Sequence, residues 1–169
     1  MTFTNNKADI HTLSILVSNN PGVLQRVAQV FSRRGFNINS LVVSPDINGR
    51  FSRMTLTVQG SIEEFLQILK VLNKLVDVIH ASDHTNQDVI AKELALIKVE
   101  ATGKNRVEIL QLVDHFKAET VDFTEESLVI QVTGYTDKLD AFVEMLKKIG
   151  IIEIVRTGKL LMARGKEQT

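Results

Sequence analysis

The sequence predicts an α+β protein made of two tandem βαββαβ units, each a ferredoxin-like sandwich in which two helices cover one face of a four-stranded antiparallel sheet. Three observations predict this fold. Apolar residues alternate in runs of strand length and recur at helical spacing between them, in the order βαββαβ. The same order begins again after a polar stretch near residue 85. Hydrophobic residues make up 44% of the 169 residues, which is enough to bury a core in each unit.

The patterns of the first half define its elements in order. The run "IHTLSILV", from Ile10 to Val17, alternates as a strand does, and the turn from Asn19 to Gly22 ends it. A helical stripe follows and stops near Gly35, a residue type that favours a helix C-terminus. The runs "FNINSLVVS" and "RFSRMTLTVQ" flank "PDING" and predict a hairpin. Ser61 and Glu64 form a capping box that starts a second helix, and "LVDVIHA" predicts the last strand.

The second half repeats this order after the polar connector "SDHTNQDVI". Strand patterns occur in "ELALIKVEA", "AETVDF", "SLVIQVTG" and "GIIEIVRTGKLLMAR", and helical stripes occur around residues 109–116 and 139–146. We therefore expect a first domain at residues 10–84, a connector at 85–89 and a second domain at 90–165.

Charge and composition limit the possible partners. The chain carries 20 basic and 20 acidic residues, so no overall field attracts nucleic acid or an anionic membrane. It contains no cysteine, which excludes disulfides and thiolate chemistry. The start "MTFTNNKADIHT" lacks the regions of a signal peptide, and no apolar run approaches the roughly 20 residues that span a bilayer. We therefore expect a cytoplasmic protein that binds neither nucleic acid nor membrane.

The reactive side chains favour neither a catalytic site nor a metal site. The four histidines fall on different predicted elements, and no serine lies in a G-x-S-x-G elbow. His80, Asp83 and His84 have a metal-like spacing, but the strand predicted there ends at these residues and no helix holds that spacing. An RNA-recognition motif shares the βαββαβ order, but the run "RRGFNI" closes the first helix instead of forming the third strand.

The turn from Asn19 to Gly22 has the properties of a binding site. A helix N-terminus presents N–H groups without intrahelical partners and a partial positive charge, so it can hold a carboxylate. Gly22 has no Cβ to block a ligand, and the amide of Asn37 can donate and accept. With flanking apolar residues, these features suit a small apolar amino acid, although an ordinary strand-to-helix turn explains the same residues. The candidate site residues are Asn19, Gly22, Val23, Leu24, Asn37 and Ile38.

These residues resemble the ACT domain, a small ligand-binding module of amino-acid metabolism. More specifically, the chain resembles the small regulatory subunits of acetolactate synthase, also called acetohydroxyacid synthase. The resemblance rests on the collinear blocks "NNPGVLQRVAQVFSRRGFNINSLVV", "SRMTLTV", "LNKLVDVI", "ELALIKV" and "KLDAFVEMLKKIGIIEIVRTGKLLMARG". It extends from about His11 to Gly165, nearly the whole chain.

The resemblance implies a non-catalytic subunit that binds and activates a large catalytic subunit and confers feedback inhibition by valine, in some members also by leucine or isoleucine. Thiamine diphosphate, magnesium and FAD then belong to the large subunit and not to this chain. The resemblance also implies a homodimer with the effector where two ACT domains meet. The first turn of one chain, with Asn19, Gly22, Val23 and Leu24, then faces Asn37 and Ile38 of the other. The alternative hypothesis is a stand-alone ACT-type sensor that controls transcription or another enzyme.

Overall fold

The computed structural model describes residues 9–169 and divides them into two compact units. The first unit contains the described residues up to Ile90 together with Leu161–Thr169, and the second contains Ala91–Leu160. Residues 1–8, which hold most of the polar start for which the sequence predicts no signal peptide, lie outside the described residues.

The first unit has the βαββαβ order that the sequence predicts. Its four strands form one antiparallel sheet in the order β2-β3-β1-β4. The elements are β1 (Ile10–Ser18), α1 (Val23–Ser32), β2 (Asn37–Pro45), β3 (Phe51–Gln59), α2 (Ile62–Leu72) and β4 (Val78–Asp83).

The alternating apolar residues of β1 form part of the core of this unit. Leu13, Ile15 and Val17 are fully buried and pack in one cluster with Val27 of α1 and Phe65 of α2. Strand alternation places these side chains on one face of the sheet, and the helical stripes supply the opposing apolar surface. The core therefore lies between the sheet and its two helices.

The start of α2 shows the N-cap half of the predicted capping box, with Ser61 as the cap. The Ser61 side chain accepts a hydrogen bond from the Glu64 N–H at 3.4 Å, and its hydroxyl donates to the Glu64 carboxylate at 2.8 Å. The two residues thus satisfy one orphan donor of the helix and fix where the chain enters it.

The second unit repeats the fold, which confirms the predicted tandem α+β architecture. Its elements are β5 (Val89–Glu100), α3 (Arg106–His115), β6 (Glu119–Phe123), β7 (Ser127–Gly134), α4 (Thr136–Lys147) and β8 (Ile151–Arg156). The sheet has the strand order β6-β7-β5-β8. A last strand, β9 (Leu160–Ala163), follows, and all but its first residue group with the first unit. No helix in the described part of the chain is long and apolar enough to cross a membrane.

The sequence prediction of one final strand is wrong. The run "GIIEIVRTGKLLMAR" contains two strands, β8 and β9, which are separated at Thr157–Lys159. Gly158 has a φ of 86°, in the left-handed region that glycine enters most readily, so the backbone turns there instead of continuing as a strand.

The segment Leu161–Thr169 groups with the first unit, while the domain bounds 10–84 and 90–165 stay a prediction. The Arg53 guanidinium donates to the Thr169 carbonyl, and the Arg164 Nε donates to the Asp88 carboxylate at 2.9 Å. Leu161 is buried. Alternating apolar residues cannot assign this segment to a unit, because they indicate that one face of a strand is buried and not which part of the chain buries it.

Candidate effector site at the start of α1 and of β2

The backbone before α1 turns sharply at Gly22. This residue caps the helix with a φ of 82° and a ψ of −6°, which is the left-handed conformation. Non-glycine residues rarely adopt it, so the turn by itself is sufficient to explain the glycine.

The first turn of α1 leaves N–H groups free. Among the described residues, the N–H groups of Gly22, Leu24 and Gln25 have no acceptor, and no side chain caps the helix. The first turn also contains no acidic residue that could neutralise the helix dipole. These donors and the partial positive charge can together receive a carboxylate.

A guanidinium lies beside the same turn. A Cβ placed on Gly22 would lie 3.1 Å from Nη1 of Arg26, and Nη2 of Arg26 forms an ion pair with Asp77 at 2.7 Å. Sequence analysis missed Arg26, although its position four residues after Gly22 places it one helical turn above the cap. Arg26 therefore places guanidinium N–H donors beside the turn, while Asp77 balances its charge.

Asn19 positions the turn through bonds within the chain. Its Nδ2 donates to the Gly49 carbonyl at 3.0 Å, and its Oδ1 accepts from the Ser52 hydroxyl at 3.0 Å. Its backbone N–H donates to the Arg50 carbonyl at 2.9 Å. The Asn19 side chain therefore ties the turn to the β2–β3 hairpin.

The two apolar candidates of the turn differ in exposure. Val23 is 2% exposed and belongs to the core, whereas Leu24 is 43% exposed. Of the two side chains, only that of Leu24 is available to a ligand at the surface.

Asn37 and Ile38 begin β2 beside an open cavity. The cavity measures about 500 Å³, and α1 contributes Ala28 and Phe31 to its wall. Asn37 is exposed, while Ile38 is half-buried and packs against the core. These two residues thus combine an available amide with an apolar surface of fixed position.

One chain does not bring the two groups of candidates together. Asn37 lies opposite Gln59 on β3, whereas Ser18, which precedes the turn, lies opposite Phe51 at the other end of β3. Eight residues of strand span roughly 26 Å. The turn and the start of β2 are therefore at opposite ends of the sheet.

Several other polar residues take part in bonds within their own unit. His11 stacks on Phe65 with ring centroids 4.3 Å apart, and its Nε2 lies 3.1 Å from the Gly60 carbonyl. His84 Nε2 lies 2.9 Å from the Ser82 hydroxyl. Asp83 accepts from the N–H of Thr85 at 2.8 Å. His11 is therefore packed within the first unit, and Asp83 and His84 form hydrogen bonds within the segment that leads into the connector.

Comparison with known proteins places both halves of the chain in one family. Residues 13–80 match the model of the "AHAS small subunit-like ACT domain", and residues 92–165 match "Small subunit of acetolactate synthase". The two matches cover most of the chain, the first in the first half of the sequence and the second in the second half.

Whole-chain relatives agree with these matches. The chain is 45% identical over 158 residues to a probable acetolactate synthase small subunit of Archaeoglobus fulgidus, covering 94% of this chain and 99% of the relative. It is 44% identical over 160 residues to the acetolactate synthase small subunit of Mycolicibacterium smegmatis, covering 95% and 94%. The crystal structure of the acetolactate synthase small subunit of Thermotoga maritima superposes with a TM-score of 0.82 at 36% identity, covering 94% and 99%. The chain therefore belongs to the acetolactate synthase small subunit family, with an ACT domain in its first half.

Proposed function

We propose that this chain is the regulatory subunit of an acetolactate synthase: it binds and activates a large catalytic subunit and makes the complex sensitive to valine. The observation that carries this proposal is that the family match spans both units of the chain. Thiamine diphosphate, magnesium and FAD would remain on the catalytic partner. The role of this chain is then binding and conformational coupling.

The effector site is proposed to form between two copies of the first unit. Among the described residues, β2 is an edge strand whose one neighbour in the first sheet is β3, and an unpaired edge is satisfied by pairing with an identical edge across a two-fold axis. Such pairing is antiparallel, so the start of one β2 meets the end of the other. The end of β2 lies on the same side as the turn, because Asn19 bonds to Arg50 and Gly49 of the β2–β3 hairpin.

This pairing brings Asn37 of the partner subunit close to the first turn of α1. The ligand's carboxylate would accept from the free N–H groups of Gly22, Leu24 and Gln25, next to Arg26. The ligand's ammonium would donate to the Asn37 carbonyl oxygen. A branched side chain would lie between exposed Leu24 and the partner's Ile38.

Feedback inhibition requires that the bound effector distinguish two states of the complex. Valine inhibits only if it binds more tightly to the less active state, and such coupling is typically about 1–3 kcal/mol. Side-by-side pairing of two chains can provide this coupling, because a ligand that contacts both chains stabilises one arrangement of the pair over others.

Reconstitution with a purified acetolactate synthase large subunit tests the proposal. We expect the chain to form a complex, to raise the rate of acetolactate formation, and to make that rate fall when valine is added. Leucine and isoleucine are assayed in parallel, and an unrelated protein at the same concentration is the control. Absence of both a complex and any change in rate would refute the proposal and favour a stand-alone sensor.

A further inference from the structure

A groove with a cationic rim runs between α1 and α2 of the first unit. Its volume is about 590 Å³. On one side it is lined by Arg26, Gln29 and Val30 of α1 and by Arg33 and Arg34 directly after it, which continue the i, i+3, i+4, i+7, i+8 spacing of one helix face. Val71 and Leu75 line the opposite side.

The groove has an apolar floor below the charged rim. Val30 is 9% exposed and belongs to the core, and Val71 and Leu75 are half-buried residues that pack against the same core. The arginines and Gln29 are exposed above them. Such a cross-section suits a segment with apolar residues on one face and charged residues beside them.

The charge of the rim has one sign. No carboxylate lines the groove among the described residues. Arg26 is held by Asp77, and Arg34 donates to the Gln67 side-chain oxygen at 3.1 Å, so two guanidinium groups are already oriented. Arg33 is exposed and has no partner among the described residues.

The dipole of α1 does not account for this set of charges. Arg33 and Arg34 follow the last residue of α1, where positive charge is favourable, but Arg26 lies in the N-terminal half, where it is not. Arg26 is instead balanced by Asp77, and Arg33 alone of the three has no side-chain partner in the described part of the chain, which leaves its charge available to a negatively charged partner.

The spacing of the arginines favours a polypeptide over a phosphate group. Residues 26 and 34 are separated by roughly 12 Å along the helix, and the arginines lie along a line instead of converging. The backbone N–H groups of that stretch are used within the helix, so no amide cradle accompanies them. A helix of two to three turns with acidic side chains beside an apolar stripe matches this length.

We propose that this groove docks an acidic amphipathic helix of the catalytic large subunit, an inference that rests on the proposed function. The groove shares Arg26 with the proposed effector turn, but its other α1 residues, Gln29 and Val30, differ from those of the cavity at β2, which are Ala28, Phe31 and Ser32. Pairing of two β2 edges therefore leaves the Gln29–Arg33 part of the groove open to a third chain.

Charge reversal measures the contribution of the rim. We expect Arg33→Glu to weaken binding of the full chain to the large subunit by at least about tenfold, and Gln29→Glu to act in the same direction without altering the helix C-terminus. Lys104→Glu, which changes an exposed lysine in the second unit, is the matched control and is expected to change affinity by less than about twofold. Binding is measured by calorimetry at low and high salt, and far-UV circular dichroism checks folding.

A photo-crosslinker locates the partner. Benzoylphenylalanine at Gln29 should cross-link the large subunit in a segment of net negative charge, whereas the same group at exposed Val107 of α3 is the positional control. Wild-type affinity in both folded variants, cross-links to a segment that is not acidic, or cross-links only to another copy of this chain would overturn the inference and leave the proposed function standing. A wild-type chain that fails to bind the large subunit would overturn both.

Discussion

Gly22 and Asn37 lie at opposite ends of α1 and, through the register of β1, β2 and β3, at opposite ends of the first sheet. Gly22 presents backbone donors at one end, and Asn37 presents an amide at the other. Because one small amino acid cannot reach both within a chain, a second copy must complete each site that uses both residues.

Gly22→Asp should abolish valine binding. The new carboxylate would repel that of the ligand, and its Cβ would fill the space used for approach. The φ of 82° makes any side chain strained here, but aspartate enters this region more readily than most residues, at about 1 kcal/mol.

Gly22→Ala separates strain from charge, because it shares the strain and lacks the carboxylate. We expect a loss of affinity of at least about 100-fold for aspartate and a clearly smaller loss for alanine. Calorimetry measures both, and thermal unfolding confirms the fold. Unchanged valine affinity in folded Gly22→Asp would show that the segment is only a turn.

Asn37→Ala should weaken valine binding by roughly five- to tenfold, since it removes amide hydrogen bonds worth about 1 kcal/mol without introducing repulsion. Asn86→Ala, at an exposed asparagine in the connector, is the matched control and should bind as the wild type does. Equal calorimetric affinities for all three proteins would exclude Asn37 from the site.

A chain that ends at Asn86 should fold, because it keeps β1 to β4 and both helices of the first unit. It should be less stable than the first unit of the intact chain by roughly 1–3 kcal/mol, since it lacks the Arg53 contact to Thr169 and the Arg164 pair with Asp88. Urea unfolding followed by circular dichroism measures this difference. A disordered fragment would contradict its independence, and equal stability would show that the terminal segment adds nothing.

Arg156→Met should destabilise the second unit by roughly 2–4 kcal/mol, because it leaves the carboxylate of Glu93, which is 6% exposed, without its cation. Burial alone would lower the pKa of Arg156, but hydrogen bonds and charge attraction from Asp140 and Glu93 raise it. Arg164→Met removes an exposed pair with Asp88 and should cost less than about 1 kcal/mol. Similar chemical-denaturation midpoints for the two variants would refute the role of the Glu93 contact.

Much of the fold could be predicted from local patterns. Leu13, Ile15 and Val17 alternate because β1 has one buried face, and the Ser61–Glu64 pair marks a helix start through bonds within four residues. These signals are short in sequence and depend little on the rest of the chain.

The remaining features depend on contacts distant in sequence. The hydrogen bond from Arg53 to Thr169 joins residues 116 positions apart in the chain. The hydrogen bonds of the Asn19 side chain to Gly49 and Ser52 likewise depend on the register of the sheet, which the sequence pattern does not give. Residue type predicted where a ligand could bind, but the separation of Gly22 from Asn37 required the strand pairing.

The central claim, a site shared between two chains, is tested most directly with a heterodimer of two inactive variants. Gly22→Asp and a bulky Asn37→Tyr, each carrying a different affinity tag, should bind no measurable valine as homodimers. In the heterodimer purified through both tags, one site carries both changes and the other carries neither. We predict that calorimetry of the heterodimer recovers wild-type affinity at about half the wild-type stoichiometry. A heterodimer that binds no valine would contradict a shared site.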